Sequence, residues 1–204
     1  MKNSIYLFQS SRLGFRQWND TDLIPFAEMN ADPEVMRYFP ATRSFEESEK
    51  SLQQFKKHFE QYGYCFYAVD ELASKNFIGF VGLNNPKFEA GFMPCTEIGW
   101  RLRKEFWNKG YATEAAKRCL EYGFKKLNLN KIVSFTSVLN IPSENVMKKI
   151  GMRKVKHFLH PDVNTGHDLE EHVLYEIASY KKFLKSLSEK KHRTKGTYDS
   201  LKFH

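Results

Sequence analysis

The chain has 204 residues, 41% hydrophobic and 15% aromatic, enough apolar material for one ordinary core, so a globular domain is expected rather than a disordered chain. Its net charge of +8 resembles a nucleic-acid signature until it is divided: residues 181–204 carry 8 Lys or Arg against 2 acidic residues, which leaves only about +2 for the rest. No run of 18 apolar residues spans a membrane, and the opening MKNSIYLFQSSR lacks the apolar stretch and cleavage site of a secretory signal, so a cytoplasmic location is expected.

The elements alternate between strand and helix. Residues 13–18 read as a strand with Leu13 and Phe15 on one face, and Asp20 then caps a helix carrying Leu23, Phe26, Ala27 and Met29. A second short helix is expected at Pro33, with Asp32 as cap and Glu34 at its positive end. Ser44 and Glu47 have the spacing of a capping box, and Leu52, Phe55, Phe59 and Tyr62 recur at helical intervals until Gly63. Residues 64–70 and 77–85 form a predicted hairpin, 86–94 a loop, and 97–102 a third strand of that group. A loop at 103–109 leads to a long helix with Ala112, Ala115, Ala116, Cys119, Leu120, Gly123, Phe124 and Leu127 on its apolar stripe. A β-branched strand at 131–138, a short helix from Ser143 to Gly151, and strands at 152–158 and 170–177 complete the body. The class is α+β, with a mostly antiparallel sheet and one βαβ step in its middle.

Cys65, Cys95 and Cys119 are odd in number and unpaired with histidines, so neither a disulfide framework nor a metal is expected. Cys65 and Cys119 lie on apolar faces and read as buried packing residues. The segment at 97–116, EIGWRLRKEFWNKGYATEAA, is the most informative. A helix that opens on Gly110 and Ala112 leaves its first N–H groups reachable at the positive end of the helix dipole, which suits a bound phosphate.

Gly110-Tyr111-Ala112-Thr113-Glu114-Ala115, followed by Asn140-Ile141-Pro142-Ser143, Val146 and Lys149-Ile150-Gly151-Met152, resembles the GNAT superfamily of acetyl-CoA-dependent N-acetyltransferases. Residues 12–18 (RLGFRQW), 30–36 (NADPEVM) and 172–175 (HVLY) are similar to the branch containing the ribosomal-protein alanine acetyltransferases. The likeness spans residues 10–178. It implies a GNAT domain over 1–178 with a basic extension at 179–204, and a sheet splayed between its fourth and fifth strands, where the main chain of Trp100 and Leu102 bonds the pantetheine arm of acetyl-CoA. Amides of Asn108, Lys109, Gly110, Tyr111, Ala112 and Thr113 would hold the pyrophosphate, with Lys109 adding charge.

The resemblance also implies the chemistry. Glu97 would deprotonate the amine, with His172, Tyr175 and Glu170 as the other candidates, and Ser143 would protonate the departing thiolate. The other reading of Ser143 is that it serves only as the cap of its helix, and Asn140 would bond the pantetheine or the nearby backbone. Two departures stand out: Met147 replaces the tyrosine that many relatives use as acid, and Trp107 replaces a polar residue before the glycine, as a packing residue or a cofactor contact. The acceptor is a protein N-terminal amine or a small-molecule amine, and the enzyme a monomer or homodimer that needs no metal and engages no membrane. The alternative is an acyl-CoA-binding sensor whose basic tail docks RNA or a ribosome.

Overall fold

The periodic segments resolve into eight strands and four helices in a computed structural model, which describes residues 5–178 together with Phe183 and Leu184. The strands are β1 (Phe8–Gln9), β2 (Leu13–Arg16), β3 (Phe66–Glu71), β4 (Phe77–Asn84), β5 (Glu97–Leu102), β6 (Lys131–Ser137), β7 (Arg153–Leu159) and β8 (Glu171–Ala178). The helices are α1 (Leu23–Ala31), α2 (Phe45–Tyr62), α3 (Tyr111–Lys125) and α4 (Ile141–Lys149). One sheet runs in the order β1-β2-β3-β4-β5-β6-β8-β7, antiparallel except where β5 meets β6. That parallel step is the βαβ unit, with α3 as its crossover.

Local chemistry explains most boundaries. The Glu47 N–H donates to Ser44 Oγ (3.2 Å) and the Ser44 N–H to Glu47 Oε2 (2.8 Å), so α2 starts on a closed capping box; it stops at Gly63, whose φ of 74° is left-handed. Helix α3 lies on the sheet through Ala115, Ala116, Cys119, Leu120 and Phe124, all buried. A Cβ at Gly123 would sit 3.1 Å from Ile132 Cδ1 and 3.2 Å from Leu83 Cδ1, so the absent side chain sets how closely α3 approaches.

Three expectations change. The helix at Pro33 does not form: the Met36 N–H closes one turn on the Asp32 carbonyl (3.0 Å), then the Phe39 N–H folds back to Met36 O (2.8 Å). One turn orders three residues for a single bond, and Pro40 keeps Phe39 out of helical geometry. The short helix expected from Ser143 begins instead at Ile141, capped by Asn140. Strand β1, too short to carry a period, pairs with β2 at the edge and makes the splay fall between the fifth and sixth strands. Of the basic extension expected at 179–204, only Phe183 and Leu184 lie among the described residues; Phe183 is buried with its ring 6.2 Å from Phe124.

The second face of the sheet is tied by one cation. Arg16 Nε and Nη2 donate to Asp70 on β3 (2.7 and 2.8 Å), and Nη1 and Nη2 to Asp22 at the entry to α1 (2.6 and 2.8 Å). Burial alone lowers the pKa of a guanidinium, but hydrogen bonds to Asp22 and Asp70 outweigh it and raise that of Arg16. Arg16→Leu leaves two buried carboxylates unpaired and should destabilise the fold by about 3–5 kcal/mol in urea denaturation, whereas a change below about 1 kcal/mol would mean the network relaxes into solvent.

Candidate active site

The sheet opens at its centre. Strands β5 and β6 share one register pair, Glu97 with Val133, through the Val133 N–H to Thr96 O bond of 2.9 Å. On the other side β5 stays paired with β4 along its length, down to the Arg103 N–H on Ile78 O (2.9 Å). Because main-chain groups alternate in direction along a strand, those of Trp100 and Leu102 face the gap. Among the described residues no strand pairs with them there. The Leu102 carbonyl already accepts one hydrogen bond from Trp107 Nε1 at 2.8 Å, which packs the indole under the turn and leaves the Leu102 N–H and the second carbonyl lone pair for a ligand. The Trp100 N–H and carbonyl and the Leu102 N–H thus face the gap without a strand partner among the described residues.

Glu97 stands at the apex of the opening. Asn84, directly opposite on β4, donates Nδ2 to Glu97 Oε1 at 2.9 Å. The carboxyl is half-buried, and loss of solvent raises its pKa from 4.5 to about 7, against the opposing pull of the Asn84 hydrogen bond. Among the described residues no cation offsets the burial, so this carboxyl both gains and loses a proton near neutrality.

At the far end of β5 the chain turns into α3 through two left-handed residues, Asn108 (φ 58°) and Gly110 (φ 78°). Asn108, Lys109 and Gly110 are exposed, and Ala112 and Thr113 partly so, which leaves the first amides of α3 open to a ligand. Tyr111 instead points inward and its hydroxyl donates to Glu71. A brace holds the turn. Glu114 Oε1 accepts from Ser10 Oγ (2.7 Å), Ser11 Oγ (3.0 Å) and the Arg12 N–H (2.9 Å), and Oε2 from Arg12 Nε (2.7 Å). Arg12 Nη1 in turn donates to Lys109 O (3.1 Å). Partial burial would raise the Glu114 pKa, but those bonds from Ser10 and Arg12 hold it below the usual carboxylate value.

Helix α4 borders the opening on the side facing α3. Trp100 Nε1 donates to Ser143 Oγ at 3.2 Å, joining β5 to α4 across the gap and leaving the Ser143 proton free to point elsewhere. Asn140 is the helix cap: its Oδ1 accepts the Ser143 N–H (3.2 Å) and its Nδ2 donates to Thr136 Oγ1 (2.9 Å). Of the two partners expected for Asn140, the structure shows the nearby backbone, and the cap it supplies releases Ser143 from that role. Met147 is buried in the core.

The other candidates separate from Glu97. The Tyr175 hydroxyl donates to Glu144 Oε1 on α4 (2.7 Å), and burial first, then that bond, pushes its pKa up to about 12. Strand alternation through the Val133–Glu176 pair puts Tyr175 on the face opposite Glu97. His172 contacts Glu170 O through Nδ1 (3.1 Å) and lies at a tilt to the His160 ring at 4.8 Å; desolvation lowers its pKa to about 4, so it is neutral at physiological pH. Glu170 accepts the Gly166 N–H within the β7–β8 turn (2.8 Å).

The acetyltransferase (GNAT) domain family matches residues 12–153. The chain belongs to the GNAT acetyltransferases. YnaD, an uncharacterized N-acetyltransferase of Bacillus subtilis (strain 168), is 33% identical over 168 residues, 82% of this chain and 94% of its own. The crystal structure of a GNAT-family acetyltransferase from Bacillus anthracis superposes with a TM-score of 0.70 at 27% identity, over 83% of this chain and 96% of that one. Spermidine N-acetyltransferase from Vibrio cholerae, in complex with CoA and spermine, gives a TM-score of 0.68 at 25% identity, over 85% and 99%.

As a GNAT enzyme the chain shows three contacts that spacing did not reveal. Asn84 is opposite Glu97 only because of the β4–β5 register, and nothing around Asn84 in the sequence signals it. Arg12 and Glu114, 102 positions apart, meet only because the fold sets the residues just before β2 beside the first turn of α3. Arg101 reaches Asn30 on α1 across the opposite face (Nη1 to Oδ1, 2.6 Å).

The Glu97 carboxyl has a testable effect on stability. Below about pH 4.5 it is neutral whether the chain is folded or not; between about 4.5 and 7 it ionises in the unfolded chain before the folded one, so its destabilising effect grows as pH rises through that window. Glu97→Gln should therefore unfold at higher urea than the wild type at pH 8 and show no such gain at pH 4.

Proposed function

We propose that this GNAT enzyme moves an acetyl group from acetyl-CoA directly to a primary amine, with both substrates bound together. The observation that carries the reading is the coincidence, at one apex, of a half-buried carboxyl with a pKa of about 7 and the start of an unpaired strand edge. Pantetheine would add to that edge as a further strand, on the Trp100 N–H and carbonyl and the Leu102 N–H. The amides of residues 108–113, preset by the left-handed turns at Asn108 and Gly110, would receive the pyrophosphate, with Lys109 at the entrance.

In the reaction the Glu97 carboxylate takes the proton from the acceptor ammonium, directly or through a water. The freed nitrogen lone pair attacks the thioester carbonyl carbon; the C–N bond forms, the C–S bond breaks, and the thiolate leaves with the electron pair. Ser143, whose oxygen is held by Trp100, passes its proton to the departing thiolate and regains one from the attacking nitrogen, which must lose its second proton to become the amide. The acceptor is a protein N-terminal amine, which the ribosomal-protein alanine acetyltransferase branch favours, or a small-molecule amine such as the relative from Vibrio cholerae handles. The enzyme works in the cytoplasm as a monomer or homodimer. Among the described residues no helix is long and apolar enough to cross a membrane.

Thiol release from acetyl-CoA with a panel of amines and N-terminal peptides tests the reading. Intersecting initial-velocity lines are expected; parallel lines would indicate an acetyl-enzyme, and binding of acetyl-CoA without release would indicate a sensor. The rate should rise with pH through about 7 as Glu97 loses its proton. Glu97→Gln should abolish that limb and lower kcat by roughly a hundredfold or more while leaving coenzyme affinity alone. Gly110→Glu strains a φ of 78° and sets a negative charge at the cradle, so calorimetry should detect at least about a hundredfold loss of coenzyme A affinity with the circular-dichroism spectrum retained.

A further inference from the structure

The face of the sheet that carries Glu97 holds a second charged feature. Side chains of paired residues in an antiparallel ladder share a face, so the pairs Asn84–Glu97 and Phe80–Arg101 place Arg101 on the same side as Glu97, four residues along β5. At about 3.3 Å per residue their Cα atoms are roughly 13 Å apart.

Arg101 is placed with care and left without an anion. Its guanidinium lies over Phe39 (4.2 Å) and Phe80 (5.4 Å), Nη1 donates to the neutral Asn30 Oδ1 at 2.6 Å, and Nε is buried with no hydrogen-bond partner. Arg43 stands beside it. The Arg43 N–H bonds the Asn30 carbonyl (3.0 Å), Arg43 Nη1 donates to Ser51 Oγ (2.7 Å), and its side chain is exposed. Among the described residues neither arginine has an Asp or Glu oxygen within 4.0 Å, in contrast to Arg16, which faces two buried carboxylates on the same layer. Burial, then the charge of Arg43, disfavours the cationic form of Arg101; a guanidinium nonetheless stays protonated, so the pair is a standing concentration of positive charge.

We propose that Arg101 and Arg43 bind a carboxylate of the acceptor, which makes the acceptor a short peptide or peptide-like acid whose amine reaches Glu97 while its carboxylate reaches the two arginines. The inference rests on the acetyl-transfer reading above and adds the substrate class. Planar guanidinium groups match carboxylate geometry, and aromatic stacking fixes the Arg101 fork without using its donors. The spacing selects for length: a tripeptide spans about 10 Å when extended, whereas the amine and carboxylate of a free amino acid are too close together to reach both ends. A polyamine would bring a second cation to two cations.

The test is thiol release from acetyl-CoA with three acceptors: trialanine, its C-terminal amide, and spermidine. Wild-type protein should favour the free acid over the amide by roughly tenfold in kcat/KM, mainly through KM, the size of one charge-assisted hydrogen bond. Arg43→Gln and Arg101→Gln should each bring that ratio close to one. Arg43 is exposed, so its variant tests the idea even if Arg101→Gln misfolds, and coenzyme A affinity by calorimetry reports the fold of both. Equal use of acid and amide, or a preference for spermidine, overturns the carboxylate site and leaves acetyl transfer standing. No thiol release with any amine overturns acetyl transfer itself, and the carboxylate site with it.

Discussion

A sheet strand is stable when both of its edges are bonded or solvated, and β5 satisfies one edge only. It keeps β4 for its whole length and loses β6 after the single Glu97–Val133 pair. The divergence follows from what fills each side. Helix α3 packs against β4 and β5 through small residues, while β6 is drawn away by its seven-residue ladder with β8. Trp100 and Trp107 limit the damage: one indole bridges to Ser143 across the gap, and the other covers the Leu102 carbonyl. What is left unpaired is a short, preformed edge beside an ionisable carboxyl.

The two ends of β5 use opposite electrostatic devices. At Glu97 the protein withholds cations and supplies a single amide donor, so desolvation dominates and the carboxyl is poised near neutrality. At the start of α3 it surrounds Glu114 with donors from Ser10, Ser11 and Arg12, which pins the first turn and keeps that carboxylate charged. Identical side-chain chemistry thus gives a carboxyl poised near neutrality in one place and a charged structural clamp in the other, decided by the balance between desolvation and the hydrogen bonds that oppose it. On the face that carries Glu97, Arg16 and Arg101 repeat the contrast with cations: one is doubly paired, the other lies over rings and is bonded to an amide.

Much of this was legible before any coordinates. The capping box at Ser44, the stripe on α3 and the hairpin of β3 and β4 are local patterns whose physics lies within one or two turns or strands, and each formed where the pattern placed it. The segment at Pro33 misled because cap residues mark where a helix can begin, and Pro40 sits too soon after for it to continue. Ser143 misled in a similar way, since Asn140 three residues earlier is an equally good cap and its position after β6 decides the matter.

Residue order alone determined the α+β class, the crossover helix with its small-residue opening, and the family, because these depend on periodicity and on motifs contiguous in the chain. Only the tertiary structure decided that β5 and β6 part after one pair, that Asn84 meets Glu97, that the Asn140 amide joins its own helix to Thr136 on β6, and that Arg101 meets no carboxylate among the described residues. Each of those is a matter of register or of contact between distant segments. Hydrogen bonding and desolvation at such contacts are set by which neighbours arrive and which do not, and a linear pattern does not encode an absent neighbour.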